Sequence, residues 1–309
     1  MQTVVCVGSA LVDELYFCKE KVITGTSNPA VVSKSIGGVL TNVAFHLAYL
    51  GVKVDYITII GDDTDGEWIL NTLSKSGISV DAIGKVNDST GKYVSFLNDD
   101  GSLHAAACVD ICEKHLDVNF LKENINKLEG ADIIICDTNI CKNTIQWLIE
   151  FAKKNNKKII IEPVSVTKSK KLSDLNLKEV FMITPNEDEL ISITGLADNN
   201  FEEGMSLLID NGIKNIWLRR GSIGSILKSK LNNIRLNAVE IDVIDSTGAG
   251  DAALAGWIAG FVNNFEPLKC IQIGHTLAFE VLQLKGAVKH DINFSKLLEL
   301  NHKYYPNEY

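Results

Sequence analysis

The sequence predicts an α/β fold, a mainly parallel sheet covered by helices on both faces with a small antiparallel β lid beside it. Three observations carry this expectation. Short β-branched runs alternate with segments of helical periodicity, as in successive βαβ units. Two stretches, about 16–35 and 92–110, break the alternation and read as strands with no helix between them. A 46% hydrophobic content over 309 residues is ample for one large core.

The elements follow in order. Strands are predicted at 3–7, 54–60, 133–136, 158–161, 180–184 and 215–218, and helices at 43–50, 68–76, 144–155, 187–194, 201–210 and 252–262. Within the second lid stretch, Asp99-Asp100-Gly101 reads as a hairpin turn. No repeat, low-complexity tract or Pro/Gly-rich linker divides the chain, so it is read as one domain over 1–309 with the lid inserted discontinuously.

Composition narrows the function. The net charge of −9 argues against a nucleic-acid surface. The pairs Lys153-Lys154 and Lys157-Lys158 read as solvated residues where a helix ends and a strand begins. Seven cysteines, an odd number in no regular framework, suggest reduced thiols. The N-terminal apolar run lacks a basic leader and is interrupted by Asp13 and Glu14, so a soluble, cytoplasmic protein without membrane contact is expected.

The most informative segment is Asp245-Ser246-Thr247-Gly248-Ala249-Gly250-Asp251, which runs directly into a helical stretch. A glycine-rich turn at a helix start gathers backbone N–H groups and the positive dipole end into a ready anion site. Asp251 at that point would repel a resting anion, so it is read as the base that accepts a proton from an attacking hydroxyl. A dinucleotide fingerprint is the competing reading of Gly248-x-Gly250-x-x-Ala253. It belongs after the first strand of a βαβ unit with an acidic residue about twenty positions on. No Walker-type phosphate loop occurs in the chain.

This seven-residue segment resembles the C-terminal signature of the ribokinase-like (PfkB) carbohydrate kinases, and the resemblance spans nearly the whole chain. Gly37-Gly38 with Asn42 resembles the family's glycine pair and sugar-contacting amide, and Gly61-Asp62-Asp63 with Gly66 another recurrent turn. Asn186-Glu187-Asp188-Glu189 is similar to the family's N-x-x-E motif, and Arg220-Gly221-Ser222-Ile223-Gly224 falls where the family places its nucleotide loop. The resemblance implies an ATP-dependent phosphotransferase with Asp251 as base and Gly248, Ala249 and Gly250 as anion hole. It implies sugar binding by Asp13, Gly37, Gly38 and Asn42, and nucleotide binding by Asn186, Arg219, Gly221 and Gly224. Mg²⁺ would be held near Glu189 through water and K⁺ by carbonyls around Asp245 and Thr247, and a homodimer through the lid is a further implication. Gly37 to Asn42, Ala107 to Asp110 and Glu162 to Lys168 are most similar to family members that phosphorylate pseudouridine, which adds Asp110 and Lys168 as substrate contacts. Val39, standing where ribose-specific members carry a lysine, counts against free ribose. The rivals are ribose, adenosine or fructose phosphorylation and, in another class, a non-catalytic nucleoside sensor.

Several of these residues have plainer readings. Asp13 fits a turn carboxylate, and Asn186 with Glu189 fits a helix cap. Of His104, Cys108, Cys112 and His115, the first three would lie on one stripe of a helix and could meet a zinc ion; the segment reads instead as a lid strand followed by a loop.

Overall fold

In a computed structural model describing residues 2–196 and 200–306, the chain folds around one large sheet. It opens with β1 (Thr3–Val7), the lid strands β2 (Leu11–Cys18) and β3 (Ala30–Gly37), α1 (Val39–Tyr49), β4 (Lys53–Gly61), α2 (Thr64–Lys75) and β5 (Ile83–Val86). The lid resumes with β6 (Lys92–Leu97) and β7 (Leu103–Val109). Next come the short helices α3 (Cys112–His115), α4 (Val118–Glu123) and α5 (Ile125–Gly130), then β8 (Ile133–Asp137), α6 (Lys142–Lys154), β9 (Lys158–Glu162) and α7 (Val166–Ser169). The remainder is β10 (Met182–Ile183), α8 (Glu187–Thr194), α9 (Phe201–Asp210), β11 (Asn215–Arg219), β12 (Ser225–Ser229), β13 (Asn233–Leu236), α10 (Ala249–Val262), α11 (Pro267–Leu282) and α12 (Phe294–Tyr304).

Among the described residues the main sheet has the order β13-β12-β11-β10-β9-β8-β1-β4-β5, parallel except for β12 and β13 at one edge. Side-chain alternation sends Val4 and Cys6 to one face, packed with α1, α10 and α11, and Val5 and Val7 to the other, packed with α6 and α9. Both faces are covered, as expected. The second sheet, β3-β2-β6-β7, is two antiparallel hairpins joined by a parallel β2–β6 pair. Lys34 and Lys92 of this sheet both pair with Asp65 of α2, at 2.5 and 2.7 Å, tying the lid to the main domain.

Three boundaries differ from expectation for physical reasons. Helix α1 begins at Val39 rather than 43, because Gly38 at φ 108 turns the chain into it and Thr41 and Asn42 are buried polar residues in its first turn. Helix α2 begins at Thr64 rather than 68, with the Asp63 carboxylate accepting from the Gly66 N–H at 2.8 Å. Strand β10 is confined to Met182–Ile183 between Glu179, at φ 77, and Pro185, which has no N–H to donate.

Candidate active site

A polar residue stands at or just beyond the carboxyl end of each central strand, in the position where open α/β sheets bind ligands. These are Ser9 after β1, Asp137 ending β8, Glu162 ending β9, Thr184 after β10 and Arg219 ending β11. The turn into α10 lies against this row. Gly248 adopts φ 74, and a Cβ there would lie 2.5 Å from Cβ of Ala287, so both conformation and space require glycine. A Cβ on Gly250 would lie 2.7 Å from Nη1 of Arg219. No side chain caps the start of α10, where the Ala249 N–H reaches the Ser246 carbonyl at 3.4 Å and Asp251 stands in the first turn.

Asp251 is held from the opposite side. Asn42 of α1 donates Nδ2 to its Oδ2 at 2.8 Å, joining the glycine-pair helix to the glycine-turn helix. Burial, reinforced by the Glu162 and Asp137 charges and opposed by Asn42 and Arg219, pushes the Asp251 carboxyl up to about 7. The side-chain amide oxygen of Asn42, Oδ1, is buried with no partner of its own among the described residues, so a donor from a ligand would satisfy it.

On the lid side, Gly37 lets Asp13 approach: a Cβ there would lie 2.2 Å from an Asp13 carboxylate oxygen. Gly38 similarly lets α1 meet β1, since its Cβ would fall 2.3 Å from the Ser9 carbonyl. Burial raises the Asp13 carboxyl to about 6. Ser9 donates its hydroxyl to Asp110, at 2.8 and 2.7 Å from the two carboxylate oxygens, and the Cys112 N–H adds a second donor at 3.0 Å. Lys168 Nζ lies 4.0 Å from Asp110 and donates to Asn139. Asn139 in turn donates to both oxygens of Asp137, at 3.0 and 2.9 Å, and burial pushes Asp137 up to about 7.

Asp13, Gly37, Gly38, Asn42, Asp110 and Lys168 thus gather on the lid side, and Gly248 to Asp251 close the far side. Arg219 is committed within the protein, donating Nη2 to Glu162 at 2.7 Å and to the Thr184 carbonyl, while Thr184 donates its hydroxyl to Glu162 at 2.5 Å. Asn186 and Glu189 form a reciprocal capping box at the start of α8 at 2.8 and 2.9 Å, which uses one Glu189 carboxylate oxygen. Gly221 at φ 54 and Gly224 at φ 108 shape the turn from β11 to β12. The Asp245 carboxylate accepts from the Thr247 N–H and hydroxyl and from the Gly286 N–H, at 2.9, 2.7 and 3.1 Å. His104 and Cys108 are exposed on β7, Cys112 is buried, and His115 contacts Asp88 at 2.6 Å. No cluster of three metal-ligating side chains is found among the described residues.

Ser9, Asp137, Asn139 and Glu162 were not singled out from the sequence as site residues. Their signal was present, since an apolar strand run such as residues 133–136 ends abruptly on a carboxylate.

The pfkB family carbohydrate kinase model matches residues 1–292. The chain is 25% identical to the pseudouridine kinase of Escherichia coli over 302 residues, 96% of each chain. It is 24% identical to the ribokinase of Haemophilus influenzae, over 81% of this chain and 82% of that one. Among solved structures it is similar to Arabidopsis thaliana ribokinase complexed with ribose and ATP, with a TM-score of 0.88 and 24% identity over 97% of this chain and 99% of that one. The chain belongs to the pfkB family of carbohydrate kinases, and it is a phosphotransferase acting on a sugar hydroxyl. Within that family it is a sugar or nucleoside kinase of the ribokinase type.

Proposed function

We propose that this chain transfers the γ-phosphoryl group of ATP to the 5′-hydroxyl of pseudouridine, with Asp251 as the base. The observation that carries the reading is the Asp251 carboxylate in the first turn of α10, which no side chain caps, held by Asn42 and poised near neutral pH. In the step, the 5′-oxygen forms a bond to the γ-phosphorus, the bond from that phosphorus to the β–γ bridging oxygen breaks, ADP leaves, and Asp251 takes the hydroxyl proton. The N–H groups of residues 248–250 receive the charge on the equatorial oxygens. Asp13, Gly37, Gly38 and Asn42 hold the ribose. Asn186, Gly221 and Gly224 border the nucleotide, with Arg219 fixing the floor beneath Gly250.

Hard oxygen donors suit Mg²⁺, and the Glu189 carboxylate, with one oxygen used by the capping box, fits holding it through water. When bound, Mg²⁺ neutralises charge on the leaving diphosphate. The Asp245 carboxylate is occupied by three hydrogen bonds, so the neighbouring carbonyls of 245 and 247 are the donors a K⁺ would use. ATP as co-substrate supports a cytoplasmic location, and the exposed apolar face of the lid supports a homodimer.

The base specificity rests on the 25% identity to a pseudouridine kinase and on the Asp110–Lys168 pair. A C-glycoside presents a ring N–H beside a carbonyl, and an acceptor next to a donor complements that edge. Uridine has no N–H there, so it would forgo that bond to the partly buried Asp110 carboxylate. The test is a comparison of pseudouridine, uridine, adenosine, ribose and fructose with ATP and Mg²⁺. Pseudouridine should exceed uridine in kcat/KM by at least roughly 10², the scale of rejection by an unpaired polar group. Equal efficiencies would refute base discrimination.

A further inference from the structure

A second cavity, of about 490 Å³, opens at the opposite, amino-terminal edge of the main sheet. Its lining includes Lys153, Lys157, Lys158, Lys214, Glu179 and Phe181. Four ammonium groups against one carboxylate are concentrated there, in a chain whose net charge is −9. Lys214 pairs with Glu179 at 3.0 Å, and Lys157 donates to the Glu129 carbonyl at 2.6 Å. Lys158 has no carboxylate partner among the described residues; its ammonium sits 6.0 Å from the Phe181 ring centroid and 5.7 Å from that of Phe261. Lys153 has no ion pair or hydrogen bond from its ammonium among the described residues, although its charge reaches Glu179 and helps hold that carboxyl below its ordinary range.

The backbone adds one observation at this edge. Four described non-glycine residues have positive φ, and two of them, Asn156 at 53° and Glu179 at 77°, line this cavity. A third, Val164 at 69°, follows Glu162 at the active-site end of β9. Asn156 is the left-handed residue that ends α6, a place asparagine takes readily, so Glu179 is the strained residue at this cavity, held where surrounding structure enforces it. The volume is within the range of small-molecule sites.

We propose that this cavity is a second ligand site, separate from the active site, that takes a small molecule bearing a multiply charged phosphate group. Lys153 and Lys158 supply the charge that the protein leaves uncompensated, Lys214 flanks them, and Phe181 provides an apolar wall. Compact ammonium groups bind phosphate oxygens as point charges.

Inorganic pyrophosphate is the probe, titrated calorimetrically into the whole chain. Pyrophosphate also suits the α10 turn, so the expected result is two equivalents for the wild type. Lys153→Gln/Lys158→Gln should retain one, with affinity for the other at least about tenfold weaker, as expected for lost charge-assisted bonds, and kcat unchanged. Lys153→Arg/Lys158→Arg should keep both, which separates lost charge from a folding defect. A single equivalent in the wild type, or a second equivalent untouched in the glutamine variant, would overturn the proposal. So would tighter binding of a single-stranded RNA than of pyrophosphate at the same lysines.

Discussion

At the scale of single residues, the decisive side chain is a carboxylate that the fold makes costly to ionise. Asp251→Asn keeps the shape of the carboxyl group but cannot take a proton, so kcat should fall by at least about 10² with substrate binding nearly unchanged. Steady-state kinetics check this, and near-wild-type turnover would remove Asp251 from the role of base. A carboxyl raised to about 7 is protonated below that pH, so kcat/KM should climb as pH rises through about 7. The same residue makes a claim on stability. Its raised pKa contributes stability that is present below about 3.8 and lost as pH rises through about 7, a difference of up to roughly 4 kcal/mol. Asp251→Asn should therefore be more stable than the wild type at pH 8, by denaturant unfolding, even though it is inactive; a loss of stability would contradict a strained carboxylate. The sequence made Asp251 legible because its glycines have a single consistent purpose. Asp137 and Glu162 were not legible, because a carboxylate ending an apolar strand reads as an ordinary turn residue until the sheet order brings both beside Asp251.

Among elements, the turn into α10 depends on a loop far along the chain. Gly248 packs on Ala287, Asp245 accepts from Gly286, and His46 of α1 accepts the Lys289 N–H at 3.1 Å. Gly248→Ala forces a side chain into the left-handed region and into Ala287. It should cost about 1–3 kcal/mol, the range for residues held in sparsely populated conformations, and should reduce kcat more than it raises the KM of the sugar. Thermal unfolding with kinetics checks both, and an unaffected kcat would show that the turn does not shape the anion hole. His46 must be neutral to accept that bond, and burial depresses its pKa to about 4, as it does for His275. Depressed histidines contribute stability that is present above about 6.5 and lost as pH falls through about 4, roughly 3 kcal/mol each. This opposes the Asp251 effect over much of the same pH range. Removing Asp251 should therefore leave a stability that declines more steeply on acidification than that of the wild type, measured between pH 7 and 4. The βαβ elements were legible from periodicity. Strands β12 and β13 were not, because Asn, Lys and Ser residues from 228 to 233 read as loop, and only the pairing of β12 with β11 and of β13 with β12 makes them strands.

For the molecule as a whole, the lid presents apolar side chains to solvent. The register aligns Val32, Tyr16, Phe96 and Ala105 in one row across all four lid strands, and the Tyr16 and Phe96 rings stack with centroids 5.4 Å apart. Val32 is 54% exposed, Phe96 44% and Val109, two rows further toward the base of the lid, 60%. The charged residues on that same face, Glu14, Lys34 and Lys92, are engaged near Asp65, which leaves the outer part of the face apolar. A contiguous apolar patch of this kind on a sheet is a mark of association. A homodimer would bury the patch against its own copy in a two-fold arrangement, and the same sheet carries Asp13 on its other face. The expected mass in solution is therefore twice 33.9 kDa. Phe96→Lys should shift the chain to monomer, because it places a charge in the centre of the row. It should also weaken sugar binding more than ATP binding, since a lid without its partner surface holds Asp13 less firmly. Analytical ultracentrifugation of the wild type and the variant, paired with KM values for both substrates, checks the two consequences together. A monomeric wild type would refute the homodimer, and a dimeric Phe96→Lys would move the interface off this face.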